Sequence, residues 1–135
     1  MTLTITTSDL DSTTVHDPPI VEIDGMRHRN ADQNRWHDMS LHRSAAISGP
    51  PLICHIQYHT RWDGEIDHDF LIRADDLDGL RQQLRNHGRG PLDYVRGFPP
   101  LPHYAERQAN LMQWLRARFC DIGRDLIEAA RDAGL

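Results

Sequence analysis

The sequence predicts an α+β fold in which a small antiparallel sheet of three or four strands is covered on one face by two helices. Three observations predict it. A β-rich stretch turns back on itself between about residues 52 and 73, and two stretches with helical apolar spacing follow, at about 75–87 and 102–133.

The hairpin surrounds Trp62-Asp63-Gly64. A two-residue loop would set Tyr58 against Asp69 and Ile56 against Leu71, mixing charged and apolar side chains on one face. A three-residue loop, with Gly64 in the left-handed conformation of a bulged turn, resolves the conflict. It pairs Thr60 with Ile66, Tyr58 with His68, Ile56 with Phe70 and Cys54 with Ile72 on a core face. The opposite face then pairs Arg61 with Glu65, His59 with Asp67, Gln57 with Asp69 and His55 with Leu71, so that opposite charges meet across the strands.

After the hairpin, Asp75 is placed to cap a helix with Asp78 at its third position, Leu77, Leu80 and Leu84 on one face, and Gly88 as its stop. The second helix starts at Pro102, where proline is tolerated, and runs to about Ala133. Its seam is Leu111, Leu115, Phe119, Ile122, Leu126 and Ala130. Such a helix spans ~45 Å, long for a domain of this size, so the reading expects either a break at Asp121 to Gly123 or an end that reaches a partner. Pro99-Pro100-Leu101-Pro102 reads as a stiff spacer before it.

Upstream, residues 1–19 read as a flexible arm ended by Pro18 and Pro19, although Leu3 and Ile5 alternate with Thr as a short edge strand would. Residues 20–135 form the single domain. Ile20 to Asp24 is a strand candidate with Asp24-Gly25 as a turn. Arg29 to Pro51 shows no period and reads as a long loop with one helical turn near Trp36.

Composition bounds the function. The 135 residues carry 20 acidic groups and 15 basic ones, all of the latter arginine, with a net charge of -5. By block the charge alternates: acidic over 1–25 and 63–80, basic over 26–62 and 81–135. This argues against direct nucleic-acid binding through a uniformly basic face, and fits contact with another protein through charged patches. No apolar run approaches the ~20 residues of a membrane span, and the N-terminal stretch lacks the parts of a secretory signal, so the expected location is the cytoplasm. Cys54 and Cys120 lie too far apart for a zinc or redox motif and read as buried, reduced thiols.

These features lead to the expectation of a small acidic protein-binding module, such as a regulator, an immunity protein or an inhibitor of a nucleic-acid-handling enzyme. Its contact surface is read as Trp62, Glu65, Asp67, Asp69, Asp75, Asp76 and Asp78, facing a partner with a basic surface, and no cofactor is expected. The C-terminal helix adds a candidate homodimer contact through Leu111, Met112, Trp114, Leu115 and Ile122, because Met112 and Trp114 fall off the core seam. The alternative is an enzyme. His55, His59, Asp67 and Asp69 share the polar face of the hairpin, where they would converge on Zn or Mn, or where His59 would act as a base oriented by Asp67.

Overall fold

The computed structural model describes residues 4–5, 19–28, 34–44, 48–60, 66–95 and 103–135. Strands β1 (Thr4–Ile5), β2 (Val21–Ile23), β3 (Arg35–Arg43), β4 (Leu52–Thr60) and β5 (Ile66–Ala74) precede helices α1 (Leu77–Arg89) and α2 (Tyr104–Asp132). The strands form one antiparallel sheet in the order β1-β5-β4-β3-β2. Both helices cover the same face: α1 lies against β5, α2 against β3 and β2, and the helices against each other. The fold is the α+β arrangement expected, with two-residue β1 as an added edge beside Leu71 and Ile72.

Most of the hairpin register is as the side-chain alternation requires. Cys54 faces Ile72, Ile56 faces Phe70, Tyr58 faces His68, and on the other side Gln57 faces Asp69 and His55 faces Leu71. A one-residue slip would turn this whole apolar set outward. The register shifts between Tyr58 and His59, so His59 stands opposite Ile66 and not Asp67. The bulge therefore sits within the strands; the expected turn around Trp62 and Gly64 lies outside the described residues, as does the proline spacer 99–102.

Strand β3 overturns the expectation of a loop with a helical turn near Trp36. In Arg35–Arg43 the alternation is real but thinly apolar: Met39 and Leu41 face the core, and the third buried position on that side is His37, only 1% exposed. Its full-length pairing with β4, from Arg35 opposite Thr60 to Arg43 opposite Leu52, places a polar residue where a hydrophobic one would have announced a strand.

Two core clusters explain the length of α2. Its C-terminal half lays Phe119, Ile122, Leu126, Ile127 and Ala130 on the main core with Met39, Leu41, Ile56 and Ile72. Its N-terminal half lays Leu111 and Leu115 on a second cluster with Tyr58, Leu92 and Val95. The helix runs unbroken through Asp121 to Gly123, and Gly123 meets α1 there: a Cβ built on it would lie 3.4 Å from Cβ of Leu84.

The caps of α1 differ from the expected ones. Asp76, not Asp75, is the N-cap, and its Oδ1 accepts from the Gly79 N–H at 2.7 Å. Gly88 does not stop the helix but lies inside it, against α2, where a Cβ would come within 2.7 Å of Cys120 Sγ and 2.8 Å of Phe119 Cδ1. The glycine is needed for close approach, and Gly90 takes the C-cap.

Candidate functional site

The polar face of the sheet carries the His/Asp cluster read from the sequence, but with different partners. His59 Nε2 lies 2.9 Å from Asp38 Oδ2 on β3, a close contact off the hydrogen-bond direction, and the His59 ring stacks on Trp36 at 5.1 Å. His55 Nε2 lies 3.9 Å from Asp69 Oδ2, too far for a hydrogen bond. Asp67 is displaced from His59 by the bulge, so the expected dyad is replaced by His59 with Asp38. Asp38 is the better placed carboxylate for a structural reason. Gly25 packs directly on the His37 carbonyl, where no Cβ fits, and its N–H donates to Asp38 Oδ1 at 2.7 Å.

A hollow of about 450 Å³ lies beside this pair, lined by Asp38, Ser40, His55 and Gln57 together with Glu22 and Asp24. Burial raises the Asp38 carboxyl above the usual range, opposed by the Gly25 N–H, and burial lowers His55, opposed by Asp69. Among the described residues no group of three or more His, Cys, Asp or Glu side chains is arranged to hold a metal ion. The geometry is that of a histidine beside a carboxylate with no hydrogen bond between them.

A second polar cluster lies on the opposite, helix-covered face and was not legible as a site. His37 Nε2 and the Tyr94 hydroxyl share a 2.7 Å hydrogen bond, and His87 Nε2 lies 3.4 Å from the same hydroxyl. His68 stacks on Tyr94 at 4.5 Å and carries the cluster out to solvent. Arg35 Nη1 donates to the Tyr58 hydroxyl at 3.0 Å, and Tyr58 and Phe119 both contact the His37 ring. Burial, with further repulsion from His87, His59 and His68, lowers His37 to about 3, so it is a neutral core histidine at ordinary pH. Burial also raises Tyr94 and lowers His87. No local pattern in the sequence announces that Tyr94, after Gly90-Pro91, will close over a histidine of β3.

The expected acidic contact surface divides in two. Asp67 and Asp69 stand in the hairpin half of β5, and Asp75, Asp76 and Asp78 beyond its far end, with about 26 Å along the strand from Asp67 to Asp75 and about 20 Å from Asp69. Asp67, Asp75, Asp76 and Asp78 are exposed, while Asp76 serves as the α1 cap and Asp78 lies 3.5 Å from Arg131 Nη2. Trp62 and Glu65 lie outside the described residues. Of the candidate dimer residues, Leu111, Leu115 and Ile122 are buried in the protein's own core, which leaves Met112 and Trp114, both half-buried, at the surface of α2. Cys54 is fully buried, which pushes its thiol up to about 12, whereas Cys120 is only half-buried.

The densest charge on the helical side is basic. Arg81, Arg85 and Arg89 recur every fourth residue along one side of α1, and Arg124 and Arg131 face them from α2. Between the helices runs a groove of about 480 Å³ whose floor includes Leu84, Gly123 and Ile127. Asp121 in its wall is held by Arg118 at 2.8 Å and approached by Arg124 at 3.6 Å. The four-residue arginine spacing is plain in the sequence; it goes unnoticed when arginines are counted by block rather than by helical face. Compared with family models, curated proteins and solved structures, the chain matches none.

Proposed function

We propose that the protein is a binding module, and that its contact site is the arginine-lined groove between α1 and α2, which takes an anionic partner. One observation supports this reading: five arginines coincide with a groove of about 480 Å³, within the range of ligand-binding clefts. Arg81, Arg85 and Arg89 are exposed, and among the described residues no carboxylate forms an ion pair with them. The exposed acids Asp67, Asp75, Asp76 and Asp78 are part of the proposal as a separate contact for a basic partner, in two patches and not the one surface read from the sequence. The groove reading is tested by titrating the protein with two multiply charged probes, a Glu-rich peptide and inorganic tripolyphosphate. At least one should bind saturably, and the R81E/R85E variant should bind it at least about tenfold more weakly. Equal binding by both proteins, or none by the native one, overturns it.

A second reading, an acid–base enzyme at the polar face, is favoured by His59 lying 2.9 Å from Asp38 beside the 450 Å³ hollow. In it His59 is the base, Asp38 replaces Asp67 as its orienting carboxylate, and no metal is invoked. It requires a substrate turnover that His59→Gln and Asp38→Asn both abolish while the proteins keep native melting curves.

A further inference from the structure

We infer that the anion held by the α1–α2 groove is a chain of phosphates, either inorganic polyphosphate or the phosphate tail of a small molecule; this rests on the proposal that the groove binds anions at all. The argument starts from α1. Arginines four residues apart on one helix repel each other and weaken it. Arg89 has a local reason to be there, because a cation at a helix C-terminus is favoured by the helix dipole. Arg81 and Arg85 have none: both point to solvent, and neither meets a carboxylate of the described residues within ion-pair distance. A ligand that neutralises the row removes that cost.

The row is long. From Arg81 to Arg89 the helix rises ~12 Å, and Arg124 and Arg131 extend the opposite wall. A single carboxylate is satisfied by one guanidinium fork and would leave the remaining arginines repelling one another. A phosphate chain presents oxygens along its whole length, several per phosphorus, and each group can accept from more than one guanidinium. Asp121 and Glu128 also line the groove, so its lining keeps an excess of positive charge and is not uniformly basic. A ligand must therefore be strongly and linearly charged to enter.

The floor strengthens the attraction. Leu84 and Ile127 are buried beneath the arginines, and Gly88 and Gly123 let the two helices approach closely at the base of the groove. Charges above such an apolar floor interact more strongly than across open water. Among the described residues no aromatic side chain lines the groove, so only the arginine guanidinium planes are there to stack on a nucleobase. Recognition falls on the phosphates.

The test is isothermal titration of the native protein, free of magnesium, with sodium tripolyphosphate, adenosine triphosphate and an octaglutamate peptide. The R81Q/R85Q variant serves as the control, and its melting temperature should equal or exceed the native one because the repulsion along the row is relieved while Arg89 keeps its place at the helix C-terminus. Tripolyphosphate should bind saturably and weaken steeply with salt, and the variant should lose at least about tenfold in affinity. Adenosine triphosphate should bind no more than about threefold more weakly than tripolyphosphate, since its phosphate chain makes the contacts, and octaglutamate at least about tenfold more weakly. Octaglutamate binding as tightly as tripolyphosphate, with both weakened in the variant, overturns the phosphate inference and leaves the anion-binding groove standing. Binding of adenosine triphosphate alone also overturns it. If no probe binds, or the variant binds all three like the native protein, the groove reading itself falls.

Discussion

Lowering the pH from 7 to 5 should destabilise the fold through His37. This imidazole is 1% exposed and enclosed by Tyr58, Tyr94 and Phe119, and burial with three neighbouring histidines holds it at about 3. In the unfolded chain it titrates near ~6.5. Between those values the unfolded state binds the proton and the folded state does not, so stability falls as pH drops below ~6.5 and levels off once pH is below the folded value. Integrating the two titrations gives a loss of about 2 kcal/mol between pH 7 and pH 5, rising toward about 5 kcal/mol below pH 3. A domain this size has only ~5–15 kcal/mol in all, so the effect is large enough to measure. The window of pH 5 to 7 is chosen because it lies above the ordinary carboxylate range. Urea unfolding at the two pH values, at constant ionic strength, measures the loss in the native protein and in His37→Phe. Phenylalanine keeps the ring contacts and leaves the Tyr94 hydroxyl with His87, so it costs a pH-independent ~1 kcal/mol for the lost hydrogen bond. His55 and His87 are also lowered by burial and keep a residual slope in the variant. The pH 7-to-5 loss should shrink by about 2 kcal/mol in His37→Phe. If native and variant lose stability equally, His37 is not the buried neutral group on which the reasoning depends.

Three further outcomes follow from the packing and are read by thermal or urea unfolding. Gly88→Ala should destabilise by a net ~1–2 kcal/mol, because its methyl would meet both Cys120 Sγ and Phe119 Cδ1 at an overpacking cost of ~2–3 kcal/mol, from which the ~1 kcal/mol that alanine gains over glycine in a helix is subtracted. An unchanged or raised melting point would show that α1 and α2 can part there without cost. Asp38→Ala removes the acceptor of the Gly25 N–H and the carboxylate beside His59, and should cost ~1–3 kcal/mol. Asp76→Ala should cost ~1 kcal/mol while Asp75→Ala costs little, since only Asp76 receives the Gly79 N–H; equal effects would contradict the cap assignment.

What the sequence disclosed and what it concealed follow from the same physics. The β4–β5 register was legible because apolar and charged residues alternate along Leu52–Thr60 and Ile66–Ala74, and only one offset keeps both faces consistent. The seam of α2 was legible for the same reason at helical period. Strand β3 was hidden because its central core position is His37, a residue whose burial depends on Tyr94, Tyr58, His87 and Phe119 arriving from four other segments. The His59 partner was misassigned through the same gap: with β3 read as loop, Asp38 was absent from the sheet, and Asp67 was the nearest carboxylate left. Gly88 was read as a helix stop because a glycine near a helix end usually is one, whereas here the missing Cβ serves the contact with Cys120 and Phe119. That contact also sets the candidate site. The close approach of α1 and α2 at Gly88 and Gly123 brings Arg81, Arg85 and Arg89 opposite Arg124 and Arg131, so the basic groove is a property of the helix pair and of neither helix alone. Charge counted along the chain records only a modest excess of arginine after residue 80; charge counted across the helix interface finds an arginine-lined groove.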